Sequence, residues 1–389
     1  MRQPVQRAML TLVVALAAAG VIVVLTQSPA SRLSSDFTIN YSAGVLVRQG
    51  HLAGPYQQAE LGELMRRVAP NGAIDPRLPF SLPLAAALPY AVLSLLPLEV
   101  AFRLWQLITL CLLLVAGLVL QQAAPTLNVS NARMALIGLL AAVPTWATLT
   151  EGQPTSWLLL GAAMVVLALR SDSLALAAGA GLLLAVKPQY IPAYLAVLFA
   201  ARRWRALAAA SVGAGLMLLS PLAGGVDALG GMVHNALSAN QAVAVRLNEA
   251  WIGLIGPALP PPAATVVAIG LYLVVLAVIG LLAWRRPGSV MGFAAIAGAL
   301  VVLASPHALP HDLIILAAPA WLAIVLYREG ALPDPIPGLL AIDLALLIDL
   351  RGTALPLGPM VMTLVVSWYF WQFRQRAAQR HRPPIGRAA

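Results

Sequence analysis

Residues 36–56, DFTINYSAGVLVRQGHLAGPY, follow the first apolar run of the chain, Ala8–Leu25. An acidic residue, Asp36, opens this stretch where the chain leaves that run. Phe37, Tyr41 and Val45 then recur at helical spacing, so a helix with one apolar face is expected over about 36–49. Ser34 or Ser35 stands where an N-cap belongs, and Gly50 stands where the helix ends. A second helix is expected over about 57–69. Leu61, Leu64, Met65 and Val68 form its apolar stripe, and Glu63 and Arg67 pair across one turn of the other face. Both suit helices lying flat in a membrane interface. Chemistry, if the protein does any, is expected at this edge.

The surroundings explain why. The chain has 389 residues, 60% hydrophobic and 10% charged, whereas soluble domains carry roughly 25% charged residues. Its apolar runs are too long and too uniform for barrel strands, which alternate. Backbone in lipid must satisfy its own hydrogen bonds, which leaves an all-α polytopic membrane protein. The net charge of +10 reads as arginines on cytoplasmic loops rather than as a nucleic-acid surface. The single Cys111 lies in an apolar run, which excludes an intramolecular disulfide and a cysteine metal cluster. Ala8–Leu25, preceded by Arg2 and Arg7, is longer than a usual signal-peptide core and reads as an uncleaved first span.

Thirteen apolar segments are candidate spans: 8–25, 80–96, 101–121, 134–149, 155–170, 173–186, 188–201, 206–222, 263–283, 289–304, 312–327, 337–350 and 356–373. If 80–96 crosses, Arg202, Arg203 and Arg205, the pair Arg285 and Arg286, and the tail from Arg374 fall opposite Arg2 and Arg7. If 80–96 lies in the outer interface or re-enters, these clusters share the cytoplasmic side, as the positive-inside rule requires. Pro79, Pro83, Pro89 and Pro97 also favour a broken segment. About twelve spans are therefore expected in a single domain over 1–389, both termini inside. An outer loop covers 26–100, and a basic cytoplasmic tail covers 374–389.

Several polar residues at the outer ends of these spans could carry chemistry. Asp36 is placed to act as a general base or as a helix N-terminal acid favoured by the dipole. Lys187, between LLLAV and Pro188, could meet a lipid phosphate or snorkel to the interface. His307, His311 and Asp312 cluster in SPHALPHD, which could bind a ligand, hold a metal or form a polar loop; Pro310 interrupts the helix that two metal-binding histidines would share. Gln153, beside Glu151 in EGQPT, could contact a sugar or make a turn. His234, Asn235, Asn240 and Gln241 could line a cleft or belong to a solvated loop. Asp343, inside a span, is an ion-pair or packing group, and Asp349 with Arg351 reads as a local salt bridge. No Walker A, dinucleotide fingerprint or HExxH motif occurs.

Together these residues resemble the GT-C glycosyltransferases, and more narrowly glycosyltransferase family 87. The resemblance rests on Asp36-Phe37 with Tyr41, Ala43, Gly50 and Tyr56; the Pro79–Pro97 segment leading to Ala101 and Trp105; Gly152-Gln153; Gly181 with Lys187-Pro188; Arg202-Arg203-Trp204-Arg205; Asn240-Gln241; and Ser305-Pro306 with His311. It covers about residues 8–330. Ala242 stands where the family commonly has Ser. The resemblance implies a GT-C type helical bundle in the plasma or inner membrane, with interfacial helices in its first outer loop. It implies a hexosyltransferase that takes a sugar, typically mannose, from a polyprenyl-phosphate donor. The acceptor is a glycolipid or glycan outside the membrane, and transfer inverts the anomeric carbon. Asp36 matches the catalytic carboxylate. Tyr41, Gln153, Lys187, Asn240, His307 and His311 are the expected substrate contacts, with no metal and no other cofactor, and membrane lipid as the surroundings. The other readings are a transporter or flippase of a lipid-linked glycan and a non-catalytic subunit of an envelope assembly. A transporter should show an internal repeat, and none is visible.

Overall fold

The computed structural model describes residues 3–70, 72, 74–123, 129–242, 248–285, 287–350 and 356–380; side chains are not described for 3–10, 129–132, 239–242 and 377–380. Among these residues every regular element is a helix. Four helices are long and apolar enough to cross a membrane: Leu98–Ala123, Trp204–Gly224, Pro261–Trp284 and Pro310–Arg328. A fifth is added if Arg133–Ala141 and Val143–Glu151, bent by 56° at their junction, form one span. Helix length and composition among the described residues thus identify four or five such helices, and the twelve spans expected are not confirmed.

Breaks within the apolar runs account for part of the difference. Segments 173–186 and 188–201 form the helices Leu174–Leu184 and Ile191–Ala200, with a 3-10 turn at Pro188–Tyr190 between them. The 11-residue Leu174–Leu184 helix is only about 16 Å long, against a hydrocarbon core of about 30 Å. Segment 134–149 bends at Ala142, one residue before the helix that carries Pro144 in its first turn. This bend frees a backbone N–H among apolar neighbours, and Asp343 answers it: Oδ1 accepts from the Val143 N–H at 3.1 Å. Asp343 is thus a cap supplied from another helix, since an unsatisfied donor in such surroundings is costly.

The segment expected as the first outer loop forms the helices Phe37–Arg48 and Gln58–Val68. Gly50 ends the first with φ of +84°, a left-handed conformation that suits glycine. The expected cap differs: Ser34 Oγ donates to the Ala30 carbonyl and Ser35 Oγ to the Arg32 carbonyl. Asp36 holds the N-cap position without a side-chain capping bond. Nor does Phe37–Arg48 present a free face, because every residue from Phe37 to Leu46 is buried. A Cβ on Gly44 would fall 2.4 Å from the Tyr90 carbonyl carbon, so this helix lies directly on the short Leu88–Leu93 helix. Gln58–Val68 keeps the expected amphipathic form: Leu61 and Met65 are buried, Glu63 and Arg67 exposed and paired.

Small residues fix the helices that lead to the polar cluster. Cβ atoms built on Gly181 and Gly213 would each fall 1.9 Å from a carbonyl oxygen, of Ala210 and Ala178 respectively. Leu174–Leu184 and Trp204–Leu218 therefore touch backbone to backbone, as small residues allow in apolar helix pairs. That contact anchors the helix whose end presents Lys187.

Candidate active site

Asp36 sits at a helix start, yet its carboxylate engages another part of the chain. Oδ2 accepts from Gln153 Nε2 at 2.6 Å, and the Asp36 N–H reaches Glu151 Oε2 at 3.5 Å. Both partners flank Gly152, which ends the Val143–Glu151 helix with φ of +64°. A Cβ there would lie 2.6 Å from Phe37 Cβ and 2.9 Å from the Phe102 ring. Glycine is required both for the backbone conformation and for the approach that brings Gln153 to Asp36. Beneath the turn, the Phe37 ring packs at 5.1–6.5 Å against the rings of Tyr41, Tyr90, Phe102 and Trp105. Tyr90 also donates its hydroxyl to the Gly152 carbonyl at 3.4 Å.

Lys187 is buried rather than snorkelling to an interface. Its ammonium pairs with the fully buried Asp312 carboxylate and lies 3.4 Å from His311 Nε2. Pro310 begins a 3-10 turn, Pro310–Leu316, instead of interrupting a helix, and Asp312 Oδ2 accepts from the Leu309 N–H at 3.1 Å. Thr148 Oγ1 donates to the His311 carbonyl at 3.1 Å and lies 3.0 Å from Thr155 Oγ1. The helix ending at Glu151 is thereby tied to the turn holding His311. His307 precedes that turn, its carbonyl accepting from Ser305 Oγ at 2.7 Å and from Gln189 Nε2 at 3.3 Å.

The two groups share one electrostatic environment. Burial pushes the Asp36 carboxyl above its ordinary 3.8; the Gln153 bond and the Lys187 charge oppose this, and Asp312 adds to it. Burial pushes the His307 imidazole down to about 4, so the ring is neutral at pH 7. A carboxylate with a raised pKa in the field of an ammonium is suited to take up a proton, and an ammonium with a neutral imidazole in its own field is suited to hold an anion.

The structure thus brings Asp36, Gln153, Lys187, His307 and His311 into one neighbourhood. Tyr41 is not among them: its hydroxyl donates to the Leu96 carbonyl at 2.8 Å, bracing the turn after Leu88–Leu93. Asn235 donates to the Phe80 carbonyl at 3.1 Å, while His234 is exposed. The side chains of Asn240 and Gln241, and Arg351 entirely, lie outside the described residues. Asp349 accepts from the Leu357 and Gly358 N–H groups. Among the described residues no three His, Cys, Asp or Glu side chains converge as a metal-ligand set. The sequence reading grouped Asp312 with His307 and His311 and placed Glu151 beside Gln153, but it did not pair Asp312 with Lys187 or Glu151 with Asp36, and it gave Tyr90 no role. Asp312 had a signal, because a buried lysine demands a counter-charge.

Apolar helices able to cross a membrane, with carboxylate, ammonium and imidazole groups gathered at their ends, describe a membrane enzyme. Residues 80–306 match the family model of glycosyltransferase family 87, and the chain belongs to that family. It is a glycosyltransferase. No curated protein and no solved structure matches the chain. The matched stretch contains Glu151, Gln153 and Lys187, while Asp36, His307, His311 and Asp312 flank it.

Proposed function

We propose that this glycosyltransferase moves a sugar, mannose in the first instance, from a polyprenyl-phosphate donor to a hydroxyl of a glycolipid or glycan acceptor, with inversion. The acceptor oxygen bonds to the anomeric carbon as its proton passes to Asp36. The bond from that carbon to the phosphate oxygen breaks, and polyprenyl phosphate leaves with the electron pair. Lys187 stabilises the departing phosphate, His307 and His311 hydrogen-bond donor oxygens, and Gln153 aims the carboxylate. One observation carries this reading. The Asp36 carboxylate makes no bond to its own helix and is held by Gln153 within the field of Lys187. A capping aspartate would instead accept from the second or third helical N–H. The test is a transfer assay on purified protein with a panel of polyprenyl-phosphate sugars. Labelled sugar in a new, inverted glycosidic bond supports the reading. Transfer from nucleotide sugars alone would overturn it.

The site is assigned to the extracytoplasmic face, with both termini inside and the 80–96 segment not crossing. Helix length supports this, since Leu84–Leu93 is only about 15 Å long. In a background lacking Cys111, cysteines at the exposed positions Arg77 and Gln122 should react from opposite sides. Reaction of both from one side would put an even number of crossings between them and reject the arrangement.

A further inference from the structure

Residues 248–250 run beside the loop that carries His307, and one side chain joins the two. Asn248 Nδ2 donates to the Pro306 carbonyl at 3.1 Å. Its Oδ1 accepts from the Ala308 N–H at 3.2 Å and the Ala250 N–H at 3.1 Å. The Glu249 N–H adds a backbone bond to the Ala308 carbonyl at 2.7 Å. Asn248 therefore holds the chain immediately before and immediately after His307. From another side Gln189, two residues beyond Lys187, donates to the His307 carbonyl, and its own carbonyl accepts from the Tyr272 hydroxyl at 2.7 Å.

Chemistry selects an amide for this task. The amide carries its donor and its acceptor on separate atoms of one plane, so it can satisfy a carbonyl on one side of His307 and an N–H on the other at once. Asn248 is buried, so each of these bonds is made out of water, where an unmade one is costly. The clasp is also closely packed: a Cβ on Gly253 would fall 1.8 Å from the Asn248 carbonyl oxygen.

We propose that Asn248 is a positioning residue that sets how far His307 reaches toward the phosphate of the sugar donor. The proposal rests on the reading of the site as polyprenyl-phosphate dependent. Asn248 touches no reacting atom, and its effect passes through His307. A double-mutant cycle tests this. Asn248→Ala should raise donor KM about tenfold with kcat little changed, because a contact made equally in ground and transition states is weakened. In a His307→Ala background the same substitution should add almost nothing. Asn248→Ser keeps a neutral donor and acceptor, but its shorter side chain cannot span both sides of His307, so only part of the clasp is lost. It should raise KM by about threefold, again only when His307 is present, and it decides the matter if the alanine variant does not fold. The cycle is repeated with polyprenyl phosphate alone, read by thermal shift. Effects that multiply independently of His307, unchanged KM in both Asn248 variants, or no binding of polyprenyl phosphate would each overturn the proposal. If wild-type protein transfers sugar and the cycle is additive, only the clasp fails. If wild-type protein binds polyprenyl phosphate but transfers no sugar from it, the transferase reading fails, and the binding cycle decides the clasp.

Discussion

Replacing Lys187 by methionine separates what the buried charge pair does for the fold from what it does for the donor. Methionine fills much of the lysine stem but leaves Asp312, fully buried, without its cation. Breaking such a pair by removing one partner costs about 3–5 kcal/mol. Asp312 retains the Leu309 N–H and can take up a proton, so the expected loss lies near 3 kcal/mol. Adding Asp312→Asn removes the orphaned charge and keeps an acceptor for Leu309. Neutral replacement of a buried pair is often without cost, so the double variant should recover most of the lost stability. Donor affinity should not recover, because the ammonium proposed to meet the phosphate is still missing. The assay is thermal unfolding of detergent-purified protein, alongside binding of polyprenyl phosphate. A single variant as stable as wild type would refute the buried pair. A double variant that regains donor affinity would refute the binding role of Lys187.

Two further predictions concern titration. Gln153→Leu removes a bond that favours the charged form of Asp36, whose pKa burial already raises. Asp36 must be unprotonated to act as a base, so the acid limb of kcat/KM should move to higher pH; a limb that stays in place would detach Gln153 from Asp36. Burial, and then the neighbouring Asp349 carboxylate, push Glu249 up to about 8 from 4.5. Folding therefore favours its protonated form. That contribution is full below about 4.5 and is lost as pH climbs through about 8. Glu249→Gln, neutral at every pH, should gain thermal stability over wild type across that window, and an advantage independent of pH would contradict the assignment.

What the sequence made legible was local. The spacing of Phe37, Tyr41 and Val45, the stripe from Leu61 to Val68, Gly50 and the Glu63–Arg67 pair all concern residues within a turn or two of one another, where helical periodicity is informative. The contacts that build the site are not of this kind. Gln153 meets Asp36 across 117 residues, and Asp312 meets Lys187 across 125. No pattern in one sequence encodes such distances. Lys187 and His311 were nonetheless singled out together, because both are polar groups at the ends of apolar runs. The span count is not confirmed for a related reason: hydropathy stays high through Lys187-Pro188 and through Ala142, where the backbone breaks. A break in an apolar run is visible only as the partner that satisfies it, here Asp343 from another helix. Tyr41 entered through the family resemblance, and nothing local in the sequence shows that its hydroxyl is bonded to the Leu96 carbonyl.

The most direct measurement is the turnover of Asp36→Asn in purified, folded protein. Asparagine has nearly the size of aspartate and can still accept from Gln153, so the turn at Gly152 and donor binding should persist. It cannot take the acceptor proton, and general-base catalysis contributes about 10²–10⁴ in rate. The account predicts a fall in kcat of that order with donor affinity close to wild type. Asparagine caps a helix about as well as aspartate, so a purely structural Asp36 predicts near-normal turnover, and that result would contradict the account.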